Sequence, residues 1–236
     1  VLFAGSSGLL ALLFGVALGN MVRGLPVTPD RRFTLAFFTD FTTHGEVGLL
    51  DYYTVSVGLL ALVALLAHGA AFLAFRTDGV LRARARAAER RLWLVSGGLF
   101  VVVTVQTIGV RPELFSALAT RPLAWLFAAI ALGGVILGAL AQRREQDARV
   151  FLSSSAVLAG LLAATATALY PKLIHSTLSP AGSITAQDAL GAPYGLSVAL
   201  AWWPVAFALA VTYVVFTFRS HREKLSAPSE HDSNGH

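Results

Sequence analysis

Six long segments of this 236-residue chain contain no charged residue, although the chain has 18 basic and 13 acidic residues. The segments hold 126 residues, and every Asp, Glu, Lys and Arg lies in the rest of the chain. They are residues 1–22, 52–75, 92–110, 122–141, 150–169 and 198–218. A chain divided in this way, with a mean hydropathy of +0.67, is neither a soluble globular domain nor a disordered polymer.

The length of these segments matches the thickness of a lipid bilayer. About 20 helical residues, at a rise of about 1.5 Å each, cross a hydrocarbon core of about 30 Å. The segments lack the alternation of a membrane β-barrel, and a backbone in lipid must satisfy its own hydrogen bonds. We therefore predict an all-α, polytopic membrane helical bundle with six transmembrane helices in one domain, residues 1–225. The polar residues 226–236 are predicted to form a disordered cytoplasmic tail.

The basic residues predict how the chain lies in the membrane. If the six segments alternate in direction, connections 76–91 and 142–149 and the tail share one side, which carries twelve of the 18 basic residues. Positive residues stay on the cytoplasmic side, so this side and the C-terminus are predicted to be cytoplasmic. The arginines of 76–91 are interpreted as anchors on anionic headgroups, and nucleic acid is not expected as a partner.

The outer connection 23–51 carries Phe33, Phe37 and Phe41 at steps of four residues. This spacing is compatible with a short helix in the outer membrane interface. It is equally compatible with a loop that packs on its own protein. Both interpretations stay open at this point.

Small and polar residues near the end of the first segment are candidate structural residues. Gly15 and Gly19 have the spacing that lets two membrane helices approach closely. Asn20 can bind free carbonyl groups, and Arg23 can reach lipid headgroups or a partner carboxylate. We interpret these four residues as a structural hinge at the outer boundary. Gly134 and Gly138, and a stripe of small residues at 156, 160, 164 and 168, also predict helix contacts.

His68 is the one imidazole within a charge-free segment. It is a candidate for proton handling or haem ligation, but a neutral, hydrogen-bonded histidine in helix packing is the favoured interpretation. The other possible axial ligand, Met21, differs from His68 in depth by about 20 Å, so the two cannot flank one iron. The chain has no cysteine. No catalytic, cofactor-binding or metal site is therefore assigned to it.

Four stretches of the sequence carry a resemblance to a known family. They are GVALGNMVRGLP at 15–26, HGAAFLAFRTDGVLRARAR at 68–86, YPKLIHSTLSP at 170–180 and SITAQDALGAPYGL at 183–196. In this order and spacing they resemble subunit II of the cytochrome bd-type quinol oxidases. The resemblance covers nearly the whole chain.

The resemblance implies a non-haem subunit that supports a haem-bearing subunit I. That complex is an oxidoreductase of the bacterial inner membrane, which oxidises quinol and reduces dioxygen to water. The b- and d-type haems belong to subunit I, so no cofactor is expected on this chain alone. Membrane lipids and quinone are expected neighbours, and a small single-span subunit is left open as a second partner. The alternative function is part of a polytopic transporter or permease.

The sequence departs from the family at its beginning. Family members have about nine spans, and acidic motifs of the GFDxG and WDGNExW kind in their N-terminal third are absent here. The first span of this chain would then correspond to the fourth of the family. We expect the chain to be the C-terminal two-thirds of subunit II, and no proton-route residue of those motifs is carried over to it.

Overall fold

The computed structural model describes residues 2–33, 36–191 and 193–220. Within these residues the chain forms seven α-helices, a two-stranded sheet and one short 3₁₀ turn. The helices are α1 Leu2–Arg23, α2 Tyr52–Arg76, α3 Gly79–Val110, α4 Glu113–Thr120, α5 Pro122–Arg143, α6 Asp147–Leu169 and α7 Pro193–Ser220. The antiparallel strands are β1 Lys172–Ile174 and β2 Ile184–Thr185, with the 3₁₀ turn at Pro180–Gly182 between them.

Six of these helices, all except α4, are long and apolar enough to cross a membrane. The predicted all-α, polytopic membrane fold is therefore confirmed. The helices end at two levels. We call connections 24–51, 111–121 and 170–191 the loop-rich end, and residues 77–91 with 144–146 the arginine-rich end. The predicted connection 76–91 is mostly helix, because α3 begins at Gly79 and residues 80–91 are rich in the strong helix formers Ala, Arg and Leu.

The membrane helices α1, α2, α3, α5 and α6 pack in two groups. α2 lies between α1 and α3, α5 pairs with α6, and α2 also contacts α6 to join the two groups. Small residues set the close approach of α5 to α6. A Cβ atom at Gly160 would lie 2.8 Å from the Phe127 carbonyl oxygen, and one at Gly134 would lie 2.8 Å from the Ser153 carbonyl oxygen. The helix contact predicted from the small-residue stripe is thus confirmed.

The long connections of the loop-rich end are joined by hydrogen bonds to backbone carbonyl groups. The Leu25 amide donates to the His175 carbonyl at 2.9 Å, and the Ser176 hydroxyl donates to the Val27 carbonyl at 2.6 Å. Gly24 has a φ of +109°, and a Cβ there would lie 2.7 Å from the His175 carbonyl oxygen. Only glycine suits this turn. Two of the four stretches with family resemblance, 15–26 and 170–180, therefore meet at this end.

Other predicted segments differ from the structure or lie outside it. No helix forms within the described residues 24–33 and 36–50, so the interpretation of this connection as a short interfacial helix is wrong there. Phe33, Phe37 and Phe41 are each at least half exposed. No described side chain of α7 is buried. The predicted tail 226–236 lies outside the described residues.

Candidate functional site

A fully buried ion pair stands at the loop-rich end, where α1 ends and α2 begins. The Arg23 side chain is 0% exposed and the Asp51 side chain is 1% exposed, and Arg23 Nη1 contacts Asp51 Oδ2. The other guanidinium donors are also used. Nη2 donates to Asn20 Oδ1 at 2.6 Å and to the Gly48 carbonyl at 2.9 Å, and Nε donates to the Gly24 carbonyl at 3.2 Å. The charge of Arg23 is thus neutralised and hydrogen-bonded inside the protein.

Asp51 has a second task, which its other oxygen performs. Oδ1 accepts hydrogen bonds from the Tyr53 and Thr54 amides, both at 2.8 Å, and the Thr54 hydroxyl accepts one from the Asp51 amide at 3.0 Å. This arrangement is a capping box, which satisfies the free N–H groups at the start of α2. One carboxylate therefore starts α2 and binds the end of α1.

Asn20 completes this buried polar cluster. Its Nδ2 donates to the Val16 carbonyl within α1 and to the Leu49 carbonyl in the returning connection, both at 2.9 Å. With Oδ1 accepting from Arg23, both ends of its amide group are engaged. Asn20 and Arg23 therefore hold residues 48–51 against the last turn of α1.

The structure changes the interpretation of Arg23. We expected Arg23 to reach lipid headgroups or a carboxylate of a partner. Its carboxylate partner is instead Asp51 of the same chain, and the Arg23 side chain is too deeply buried to contact lipid. Sequence reasoning missed Asp51, although the sequence contains a signal for it. An Asp three residues before a Thr, directly ahead of an apolar run, is a typical helix start.

Gly15 and Gly19 lie in the α1–α2 contact. A Cβ atom at Gly15 would lie 2.5 Å from Ala61 Cβ and 2.8 Å from Gly58 Cα. One at Gly19 would lie 3.0 Å from Thr54 Cα. The absence of side chains therefore allows the two backbones to come close. This close approach brings Arg23 and Asp51 together one to two turns further along.

His68 lies between α2 and α6, far from the Arg23 cluster along α2. Its Nδ1 is 2.7 Å from the Ser154 hydroxyl oxygen, which itself donates to the Phe151 carbonyl at 2.7 Å. Because the serine proton is used there, we assign the proton of the imidazole to Nδ1. The ring also stacks on Phe151, with 4.9 Å between ring centroids. These contacts match those of a histidine that packs two helices together.

The surroundings of His68 do not fit a haem site with Met21. His68 is on α2 in the half of the bundle nearer the arginine-rich end, and Met21 is in the last turn of α1 at the loop-rich end. Two axial ligands must lie on either side of one iron, so these residues cannot share a haem. Among the described residues, no three His, Cys, Asp or Glu side chains are grouped closely enough to hold a metal ion.

A second charged cluster, also missed from the sequence, joins helices at the arginine-rich end. Asp147 at the start of α6 accepts from Arg82 Nε at 2.6 Å and from Arg86 Nε at 2.7 Å. Arg86 Nη1 also lies 2.7 Å from Glu145 Oε2. These pairs join α3 to the α5–α6 turn, which the sequence could not reveal because 61 residues separate Arg86 from Asp147.

One acidic side chain near this cluster is buried. Glu89, with 3% of its surface exposed, accepts from Gln142 Nε2 at 2.6 Å. Glu89 is thus hydrogen-bonded inside the protein.

At the opposite, loop-rich end, Asp188 is exposed. Hydrogen bonds from Thr185 and then the Arg31 guanidinium lower the pKa of Asp188 to about 2. A lowered pKa means that this contact stabilises the loop above about pH 4 and is lost as the pH falls towards 2.

Comparison with known proteins adds to this geometry. The family model described as cytochrome bd terminal oxidase subunit II matches residues 1–221. The chain is 26% identical to the probable cytochrome oxidase subunit 2 of Haemophilus influenzae over 92% of its length. It is 27% identical to the cytochrome bd-I ubiquinol oxidase subunit 2 of Escherichia coli K12 over 87% of its length. It is 26% identical to the cytochrome bd ubiquinol oxidase subunit 2 of Bacillus subtilis over 91% of its length.

The chain spans about three-fifths of the length of these curated relatives, 63%, 59% and 62% respectively. The match to the family model nevertheless runs through all six membrane helices. It includes each of the four stretches whose residues resemble this family. The chain therefore belongs to the cytochrome bd terminal oxidase subunit II family.

Proposed function

We propose that this chain is the non-haem subunit II part of a bd-type terminal oxidase. The complex oxidises quinol and reduces dioxygen to water in the respiratory chain, and the chain serves as structural partner of the haem-bearing subunit I. Quinol is the substrate of the complex, and the b- and d-type haems are held by the partner subunit. A small single-span subunit is a further candidate partner. Residues 1–225 act as one membrane domain.

The observation that carries this proposal is the family match over residues 1–221. The buried polar groups of the chain support a structural role, because Arg23, Asp51 and Asn20 bind one another and the backbone instead of lining a channel. The transporter alternative is not favoured. Transporters of this kind often have broken membrane helices, whereas Pro204 lies inside α7 without breaking the helix.

We further propose that the arginine-rich end faces the cytoplasm of a bacterial cell, with the chain in the inner membrane and the C-terminus inside. The support is the positive-inside rule, since this end carries Arg82, Arg84, Arg86, Arg90 and Arg91 next to two membrane spans. The loop-rich end then faces the outside.

A purification tests the oxidase assignment. The protein is isolated from its native membrane in mild detergent, and a reduced-minus-oxidised spectrum is recorded together with quinol-driven oxygen uptake. We expect b- and d-type haem bands from a co-purifying subunit and oxygen consumption that depends on added quinol. A preparation that contains this chain intact but no haem subunit contradicts the proposal.

For His68 we expect a structural effect without a change in proton handling. His68→Ala removes the Ser154 hydrogen bond and the stack on Phe151, at a cost of about 1–2 kcal/mol in the free energy of unfolding. The apparent Tm of the purified complex should therefore fall by a few degrees. The pH profile of quinol-driven oxygen uptake should keep its shape. A shifted pH optimum at unchanged haem content would instead assign His68 to proton transfer.

A further inference from the structure

A basic cavity opens at the loop-rich end, and neither Arg23 nor Asp51 lines it. Its volume is about 120 Å³. A water molecule needs about 10–15 Å³ of such space, so a group of several heavy atoms fits. The cavity lies where α3 ends, α4 begins and α6 ends, and its polar lining consists of Arg111, Glu113, Arg121, Tyr170 and Lys172.

Arg111 is the informative residue in this lining. It is 6% exposed, and its Nη1 donates to the Val22 carbonyl at 2.8 Å. Its buried Nε has no hydrogen-bond acceptor among the described residues. Burial lowers the pKa of the Arg111 guanidinium, because removal from water disfavours its charged form. A buried cation with a free donor next to a cavity indicates a missing anionic acceptor.

The remaining charges of the cavity leave an excess of positive charge. Arg121 Nη1 donates to the Thr167 and Ala168 carbonyls, so this arginine caps the C-terminal end of α6. Lys172, like Arg111 and Arg121, forms no ion pair within the described residues. Glu113 is the one acidic group in the lining. Three basic residues and one acidic residue thus line the cavity, which leaves an excess of positive charge.

The cavity lies at the edge of the membrane. The apolar runs of α3 and α6 end there at Val110 and Leu169, and α5 begins there at Pro122. Trp125, one turn into α5, is 57% exposed and is the kind of residue that marks the interface with headgroups. Leu123 and Leu126 beside it expose 60% and 53% of their surfaces, which suits contact with acyl chains.

We propose that this cavity binds the phosphate of an anionic phospholipid, with Arg111 and Lys172 as its charged donors. The phosphodiester supplies an anionic acceptor beside Arg111 and balances the local positive charge. Its acyl chains lie along the exposed leucines of α5. The inference goes beyond the oxidase assignment and does not depend on it, because its readout is lipid binding.

The test uses the protein purified from its native membrane, delipidated by detergent washing and titrated with phosphatidylglycerol. Bound lipid is counted by native mass spectrometry, and the apparent Tm is followed in parallel. We expect saturable phosphatidylglycerol binding that raises the Tm, and no rise with uncharged diacylglycerol. The phosphate could come from a lipid headgroup or from free inorganic phosphate, and a titration with inorganic phosphate distinguishes the two. An equal rise in Tm with millimolar inorganic phosphate would show a free-anion site and overturn the lipid assignment.

Two variants locate the site. Lys172→Gln should weaken phosphatidylglycerol binding about fivefold, the usual effect of one basic residue near a lipid surface. The control Arg32→Gln removes the same charge from an exposed position of the loop-rich end outside the cavity, and binding should not change. Arg111→Gln should weaken binding more than Lys172→Gln does. If Arg111→Gln fails to fold, the result with Lys172→Gln alone tests the site. Equal losses in Lys172→Gln and Arg32→Gln, or none in Lys172→Gln, contradict the proposal.

Discussion

Replacing Asp51 with Asn is expected to lower the apparent Tm of the protein in detergent by roughly 10 °C. Asparagine is as good a helix N-cap as aspartate, so Asp51→Asn keeps the bonds to the Tyr53 and Thr54 amides. What the variant removes is the negative charge opposite Arg23, whose side chain is 0% exposed. An unpaired buried charge of this kind costs about 3–5 kcal/mol. The measurement is thermal unfolding followed by tryptophan fluorescence.

The coupling between the two residues is the sharper test. Arg23→Gln alone should be about as harmful as Asp51→Asn, since each leaves one buried charge without its partner. The double variant Arg23→Gln with Asp51→Asn removes both charges and should lose much less stability than the sum of the two. Arg32→Gln, at an exposed position of the same end, is the control for charge alone and should leave the Tm unchanged. Additive losses would show that the pair does not act as a unit.

The membrane fold could be predicted from the sequence because the lipid phase imposes one simple rule. Charges are excluded from the hydrocarbon core, so the six uncharged segments mark six of the helices directly. The uncharged segments at 92–110 and 150–169 begin later in the sequence than α3 and α6 do. Both helices begin in the charged residues of the arginine-rich end, at Gly79 and Asp147, where the absence of charge no longer marks the helix.

The polar clusters could be predicted only in part. Gly15 and Gly19 stand out because this glycine spacing marks close helix contacts, and Asn20 and Arg23 stand out because polar residues are rare in membrane helices. Their partners are less visible, since Gly48 and Leu49 contribute only backbone carbonyls, which every residue has. The pairing of Arg23 with Asp51 depends on the path of the 24–51 connection, which the four-residue spacing of its phenylalanines does not determine. A hydrogen bond between chain segments far apart in sequence needs the fold before it can be recognised.

The second large effect is expected for Gly15→Ala in the α1–α2 contact. The added methyl group would lie 2.5 Å from Ala61 Cβ and 2.8 Å from the backbone Cα of Gly58, so the two helices must move apart. Overpacking of this kind costs about 1–3 kcal/mol, which exceeds the gain of up to about 1 kcal/mol from the better helix propensity of alanine. The apparent Tm should therefore fall by roughly 5 °C.

The matched control is Gly8→Ala, on the same helix. A Cβ there meets only Leu62 Cδ1 at 4.0 Å, an ordinary contact, so this variant should be neutral or slightly stabilising. The close approach of α1 and α2 at Gly15 brings Arg23 and Asp51 together. The stability losses of Gly15→Ala and Asp51→Asn should therefore not be additive. Once the helices have separated, the pair is already weakened, and removing its charge costs less. Equal behaviour of Gly15→Ala and Gly8→Ala would mean that α1 and α2 do not touch at this glycine.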